Sequence, residues 1–513
     1  MISPVKFMPV LMTSKNPFET AKIVEISFCD KEKCISSVKY QNLVIVKIGN
    51  YQKVGIDPMP FGGVILQRFY KTWFDTHCVC DKKLEISMKQ KIILAAALLL
   101  SAISVSAQRL TIGGYGEAMY TRNFYSDAWQ RYITPEKYAD DKSHGRFDIP
   151  HFVISLGYDF GKGWSLGTEI EFEHGGTESA VELEADETGE YESEIERGGE
   201  VALEQAWIQK VIHPAFNVRA GMIIVPVGLT NSHHLPNEFF TGYRQEGENT
   251  IFPCTWHEVG LELWGEFGRN KAWKYELLFL PGLDSDRFST ENFIQGGAGS
   301  PYEFKIANSY AGAFRIDNRS VKGLRLGLSG YVGGSFSNSL TKNKKYEGLK
   351  GEVFIGSVDF DYKGYGVIAR GVFDYAHLNN SAEITSFNKN NMSAASPSPR
   401  NAVGSDAIVG SFEIGYDFLH PLRKVDDKCY VFAHYEYYDA MFKVAPGITD
   451  YPWVGKHRIA VGFNWYPINE IIVKAEYSHR FYEKPFNNEP SVTFGIAFAG
   501  WFENTFHKKH NDK

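Results

Sequence analysis

From Gln108 to Phe502, large apolar side chains recur at every second position, which is the period of a strand and not of a helix. Phe152, Ile154, Leu156, Tyr158 and Phe160 alternate with positions that include Ser155, Gly157 and Asp159. Val259, Leu261 and Leu263 alternate with Glu258, Gly260 and Glu262, and Phe494, Ile496 and Phe498 with Thr493, Gly495 and Ala497. Sixteen such segments are predicted, at 109–120, 147–160, 164–173, 200–212, 216–225, 258–267, 273–280, 308–317, 323–335, 351–362, 365–377, 406–418, 429–440, 456–466, 471–481 and 491–502.

The connections alternate in length. Those at 161–163, 213–215, 268–272, 363–364 and 467–469 are tight, whereas 121–146, 174–199, 226–257, 281–307 and 378–405 are long. A soluble sandwich has no reason to separate its loops so strictly. A transmembrane antiparallel β-barrel does, with short periplasmic turns and long extracellular loops. Aromatic residues sit beside the tight turns: Tyr158, Phe160 and Trp164, Phe267 and Trp273, Tyr362 and Tyr365, Tyr416 and Phe418, Trp465 and Tyr466. Rings so placed form a girdle at a membrane–water boundary. No apolar run in the mature chain approaches the length of a spanning helix, so the sequence predicts an all-β barrel of about 16 strands.

Met88 to Ala107 reads as a secretory signal: Lys89 and Lys91, an apolar run from Ile92 to Leu100, and small residues at Val105-Ser106-Ala107. Residues 1–87 show no coherent periodicity and are expected to be a gene-model extension or an unassigned N-terminal region. The barrel is expected over 108–502, followed by a polar tail at 503–513. Residues 1–107 hold 14 Lys+Arg and 8 Asp+Glu, which leaves 40 and 53 in the rest and a charge near -13. That acidic balance gives no reason to expect nucleic acid as a partner.

Leu203-Glu204-Gln205-Ala206-Trp207-Ile208, then Phe216-Asn217-Val218-Arg219-Ala220-Gly221-Met222, then Val225-Pro226-Val227-Gly228-Leu229, make a pattern that resembles the phosphate-selective porin O and P family. Phe147 to Phe172 and Val259 to Leu280 extend the likeness. The resemblance implies a sixteen-stranded, trimeric general or anion-preferring porin. Alternation, however, sends Arg219, Lys274, Arg315, Arg325, Arg370, Arg458, Lys474 and Arg480 into the lumen together with a larger set of acids: Glu169, Glu171, Glu173, Glu258, Glu262, Glu266, Glu276, Asp359, Asp361, Asp374, Glu413 and Glu436. Lining charge sets which ion a pore concentrates, so phosphate selectivity is not expected here.

The third long loop, 226–257, carries His233, His234, Arg244, Glu246 and Glu248 and is the constriction candidate, with Arg244 facing Glu246 or Glu248 across a narrow lumen. His233, His234, Cys254 and His257 have no rigid scaffold that would gather them on a zinc ion, and no metal or cofactor is expected. Loop 174–199 has nine acids between Glu178 and Glu196. It reads as a hydrated external loop, with Glu182, Glu184, Asp186, Glu187 and Glu190 as a divalent-cation alternative. No zinc-binding His-Glu-x-x-His occurs after residue 107, and the G-x-S-x-G match there, Gly163-Trp164-Ser165-Leu166-Gly167, opens a predicted strand and is not a strand-to-helix elbow, so an enzyme is not expected. The expectation is an outer-membrane barrel of a Gram-negative bacterium that passes small hydrophilic solutes by diffusion. Its partners would be outer-membrane lipids, the barrel-assembly machinery and two further copies in a homotrimer. The alternatives are a plugged or surface-presenting barrel and, behind it, a barrel-borne hydrolase.

Overall fold

The computed structural model describes residues 25–30, 33–40, 43–49, 110–175, 179–184, 192–197, 201–299, 304–338, 348–390, 402–422 and 426–501. The proposed signal at 88–107 and tail at 503–513 lie outside the described residues. The chain divides into two units, Met1–Val105 and Ser106–Lys513. In the first, the backbone of Glu25–Asp30, Lys33–Tyr40 and Leu43–Gly49 pairs as an antiparallel three-stranded sheet. No alternation foretold these strands. The last is a β-branched run, Val44-Ile45-Val46, which favours extended backbone without a polar face.

The second unit is a closed antiparallel barrel of sixteen strands, counting one interrupted strand as one. The strands are β1 Leu110–Asn123, β2 (in two pieces, Gly145–Asp148 and His151–Gly161), β3 Trp164–Glu173, β4 Val201–His213, β5 Phe216–Ile224, β6 His257–Phe267, β7 Trp273–Pro281 and β8 Tyr310–Asn318. They continue as β9 Leu324–Gly334, β10 Glu352–Gly364, β11 Val367–Leu378, β12 Asp406–Asp417, β13 Lys428–Lys443, β14 Lys456–Ile468, β15 Ile471–Phe481 and β16 Glu489–Trp501. β16 pairs with β1, from Ser491 opposite Asn123 to Trp501 opposite Gly113, so the sheet has no edge.

β2 breaks at Ile149-Pro150. Proline has no N–H to give the ladder, and β1 runs from Gly116 to Met119 while β2 runs from Asp148 to Phe152, one residue longer. The β10–β11 turn is Tyr365-Gly366, two residues later than expected, because Gly364 still pairs with Val367. Both turn residues have positive φ, 55° and 77°, the geometry that matches strand twist in a two-residue hairpin.

The barrel is apolar outside and charged inside. Leu261, 55% exposed, and Leu263, Phe279, Leu328, Phe412, Val461 and Ile496 face out, while Glu262, 2% exposed, Arg315, Asp359, Arg370, Glu436 and Arg458 are buried. The inward face also changes along the axis. Toward the tight turns it is charged: Lys274 and Glu276 on β7, Arg315 and Asp317 on β8, Asp359 and Asp361 on β10. Toward the long loops the same inward rows become Leu278 and Leu280, Ala311 and Ala313, Val353 and Ile355, all buried. There they pack against loop residues Val225, Val227, Ile251, Phe252, Trp256, Leu283, Phe288 and Phe293 in one apolar core inside the barrel mouth. No helix among the described residues is long and apolar enough to cross a membrane.

The in/out assignment is checked by a matched pair of variants. Leu261→Arg should cost about 2–4 kcal/mol at mid-membrane depth and reduce the fraction running as a heat-modifiable folded band on gels. Glu262→Gln, one residue away on the inward face, should give the wild-type fraction. Equal tolerance of both would reverse the assignment.

Candidate functional site

The third long loop, L3, leaves β5 and turns into the barrel. Gly228, in the Pro226-Val227-Gly228 stretch, makes the turn with φ of 83°, and a Cβ there would meet the Glu248 carboxylate at 1.9 Å. Glu248 accepts from the Leu229 N–H at 2.7 Å, the Thr230 N–H at 2.9 Å and the Thr230 hydroxyl at 2.6 Å, so it closes the loop on itself. Burial nonetheless pushes its pKa up to about 7, against the pull of those hydrogen bonds. A short helix, α1 Glu246–Ile251, then leads the chain back toward β6.

Inside the barrel, L3 is held by charged and polar side chains of the wall. Glu413 accepts from the Phe240 N–H at 3.2 Å, Glu476 from the Gly242 N–H at 2.7 Å and Glu436 from the Gly247 N–H at 2.8 Å. In the opposite sense, Arg315 donates to the Gly228 carbonyl at 2.9 Å, Asn464 to Phe240 at 3.0 Å and Lys474 to Thr241 at 2.9 Å. Backbone groups inside a barrel must find partners, and here the wall supplies both kinds.

These wall residues also pair with one another. Arg315 and Arg325 hold Asp317 and Asp359, and Arg370 donates to Glu413 at 2.7 Å. Arg458 bridges Glu436 at 2.8 Å and Glu476 at 2.6 Å, and also reaches Glu246 on L3 at 3.1 Å. Arg480 pairs with the same Glu246 and with Glu489 at 3.3 Å. Burial raises the Glu246 pKa, but the Arg480 and Arg458 guanidiniums outweigh it and hold the carboxyl well below the usual range. Folded, Glu246 is therefore ionised across the neutral range, and its contribution is lost only as pH falls into the strongly acid range.

The expected facing of Arg244 with Glu246 or Glu248 takes a different form. Glu246 goes to β14 and β15, Glu248 to its own loop, and Arg244 to β1, two strands beyond β15, where it donates to the Tyr115 hydroxyl at 3.2 Å, and to the His234 carbonyl within the loop at 3.3 Å. The other constriction candidates are spread around the wall. Arg219 bonds Glu262 at 2.8 Å and lies over the Trp207 ring at 4.5 Å, and Glu258 accepts from Lys305 at 2.9 Å. His233 is pushed down to about 2 by burial and by the guanidiniums of Arg325, Arg315 and Arg370. His234 is also lowered, chiefly by burial. Glu182 and Glu184 lie on a paired strand, Ser179–Glu184 with Glu192–Arg197, but their side chains, and all of Asp186, Glu187 and Glu190, lie outside the described residues.

Two inward carboxylates escaped strict alternation. The β4 register slips between Leu203 and Gln205, so Glu204, fully buried, joins Gln205 on the inside. Glu117 sits on β1 among small residues that blur the alternation, and one of its buried oxygens has no hydrogen-bond partner. With Glu169, Glu171 and Glu173 of β3 these make an acidic sector on β1–β4. β2 from His151 and all of β3 contain no Lys or Arg. A cavity of about 470 Å³ opens along this sector, lined by Ser155, Gly157, Ser165, Glu169, Gln205 and Trp207. Gly167 leaves room for the Trp207 indole, which a Cβ would meet at 2.3 Å.

No family model matches the chain. An uncharacterized protein of Aquifex aeolicus (strain VF5) is 24% identical over 389 residues, covering 74% of this chain and 78% of its own length. Among solved structures, Salmonella typhi OmpF in complex with daunomycin is 9% identical, with 76% of this chain and 97% of that chain covered and a TM-score of 0.46. The outer membrane channel DcaP of Acinetobacter baumannii is 11% identical, with 76% and 97% covered and a TM-score of 0.43. The anion-selective porin from Comamonas acidovorans is 10% identical, with 76% and 98% covered and a TM-score of 0.41.

Proposed function

We propose that the chain is an outer-membrane porin of a Gram-negative bacterium, giving passive diffusion to small hydrophilic solutes or ions, with L3 as its constriction. The observation that carries this reading is the reversed burial: large apolar side chains cover the outside, charged ones line the inside, and a loop is bonded across the interior. Such an exterior is soluble only in a hydrocarbon layer. Outer-membrane lipids, the barrel-assembly machinery and a homotrimer belong to the same reading.

Cation preference follows from which charges are neutralised. The arginines at 315, 325, 370, 458 and 480 are each bonded to carboxylates, so they offer little field to a passing anion. The β1–β4 sector keeps a surplus of carboxylates against Arg244 and is the wall that borders the cavity. Phosphate selectivity is accordingly not part of the proposal. Nor is catalysis: His434, two residues from Glu436 on the same strand face, is 3% exposed and wedged between Glu413 at 3.6 Å and Glu436 at 3.2 Å. The apolar core in the mouth favours a second reading, a barrel plugged by its own loops.

Planar-bilayer conductance under a salt gradient separates the two. Discrete steps with a cation-selective reversal potential are expected, and Glu117→Gln with Glu171→Gln should move that potential toward zero. Silence from protein that is folded and heat-modifiable would establish the plugged barrel instead. Anion selectivity would overturn the charge argument while leaving the pore.

A separate variant tests the loop. Glu246→Gln removes the charge shared by Arg480 and Arg458 and should destabilise L3 against the wall by several kcal/mol, since it leaves buried guanidiniums short of a partner. Single-channel recordings should then show larger or noisier steps than wild type. Unchanged steps would mean that L3 does not set the conductance.

A further inference from the structure

The acidic sector holds an arrangement that ion permeation does not require. Nε2 of His234 lies 3.9 Å from Oε1 of Glu204, too far for a hydrogen bond. Nδ1 of the same ring faces the Asn231 carbonyl at 3.3 Å. A carbonyl only accepts, so Nδ1 carries the proton and Nε2 presents a lone pair. That lone pair and the Glu204 carboxylate are two acceptors facing each other inside the protein, with Glu204 fully buried and His234 12% exposed. Glu169 completes the group, and one ligand atom from each of the three lies within 4.8 Å of the others.

The surroundings are those of a metal ligand set. Glu204 accepts from the Tyr115 hydroxyl at 3.0 Å and from the Thr255 hydroxyl, and Glu169 accepts from the Ser155 hydroxyl at 2.9 Å and from the Gln205 amide. Outer hydrogen bonds of this kind fix the orientation of ligating carboxylates and imidazoles. Glu169, with its partners Ser155 and Gln205, also lines the cavity, so one of the three ligands borders open space from which an ion can enter. The Arg244 guanidinium, whose charge acts on Glu204, spends its hydrogen bonds on the Tyr115 hydroxyl and the His234 carbonyl and leaves the carboxylate oxygens to neutral donors.

We propose that Glu169, Glu204 and His234 bind one first-row divalent cation of the zinc type, which ties L3 to the β3–β4 wall. One imidazole with two carboxylates suits such an ion better than calcium, which takes oxygen ligands. Ligands at about 2.1 Å around a tetrahedral ion stand about 3.4 Å apart, so the three groups draw together by roughly 0.5–1.5 Å on binding. The site goes beyond the channel reading and does not rest on it, because a plugged barrel would hold the same ion.

The test is isothermal titration of zinc into the full, chelator-washed chain in detergent, without a polyhistidine tag. One zinc per chain is expected, with affinity falling at least tenfold in Glu169→Gln and in His234→Gln, and with excess calcium failing to compete. His151→Ala, in the neighbouring group of His151, Glu171 and Glu173, should bind as wild type does. Heat-modifiable mobility identifies the variants that fold, and either ligand variant alone decides the result. No zinc uptake by the wild type, wild-type affinity in a folded ligand variant, or a loss confined to His151→Ala would each overturn the proposal. Binding is read without ion flow, so a silent bilayer experiment leaves the outcome standing.

Discussion

Hydrocarbon offers no hydrogen bonds, and from that constraint the rest of the structure follows. A strand crossing lipid must pair on both sides, so the sheet closes on itself where β16 meets β1. Closure leaves each strand one lipid face and one enclosed face, and the period of two then sends the charged residues of the strand middles, such as Glu262, Arg315, Asp359, Arg370, Glu436 and Arg458, inward. Charges packed inside a barrel are costly unless paired. The arginine–carboxylate groups on β8–β15 are the consequence: Arg315 is 1% exposed and makes contacts to Asp317, to Asp359 and to the L3 backbone together.

The same requirement explains why L3 stays inside. A loop entering the barrel brings unpaired N–H and C=O groups with it, and these need partners as much as the strands do. Glu413, Glu436 and Glu476 accept from its N–H groups, and Arg315, Asn464 and Lys474 donate to its carbonyls. The loop and the wall charges thus satisfy each other. Removing either leaves buried groups without partners.

Strands were legible because alternation is a local signal: β3 spans Trp164–Glu173, the predicted range, and β15 spans Ile471–Phe481 likewise. Departures came where a local feature shifted the register, at Pro150 in β2 and at the bulge that turns Glu204 inward. The apolar core in the barrel mouth was missed although a trace was present. Leu277-Leu278-Phe279-Leu280, Val353-Phe354-Ile355 and Ala407-Ile408-Val409 are apolar on both faces, as strands covered on both sides are. The path of L3 left no such trace. Its anchors are remote in sequence, Gly242 and Glu476 being 234 residues apart, and no spacing within the loop encodes them. The gathering of His234 with Glu169 and Glu204 was hidden for the same reason, compounded by the bulge.

The loop is held unequally by its two walls. On β11–β15 it is fixed by charged groups that form a connected set, so lifting it there would strand Glu246 away from two guanidiniums and deprive three wall carboxylates of N–H donors together. On β1 and β4 the polar contacts come from side chains, a Thr121–Tyr243 hydroxyl pair at 3.0 Å, the Arg244–Tyr115 bond at 3.2 Å and the Thr255 hydroxyl to Glu204, and the loop carbonyls and N–H groups are not committed to those strands. A hydrogen bond between neutral groups is worth about 0.5–1.5 kcal/mol and one to a charged group about 1.5–3 kcal/mol, below the roughly 3–5 kcal/mol cost of taking a buried charge from its partner. Small displacements of L3 therefore occur most cheaply against β1–β4. That is the wall with the cavity and the surplus carboxylates, so the width of the interior and its electric field are set at the same place.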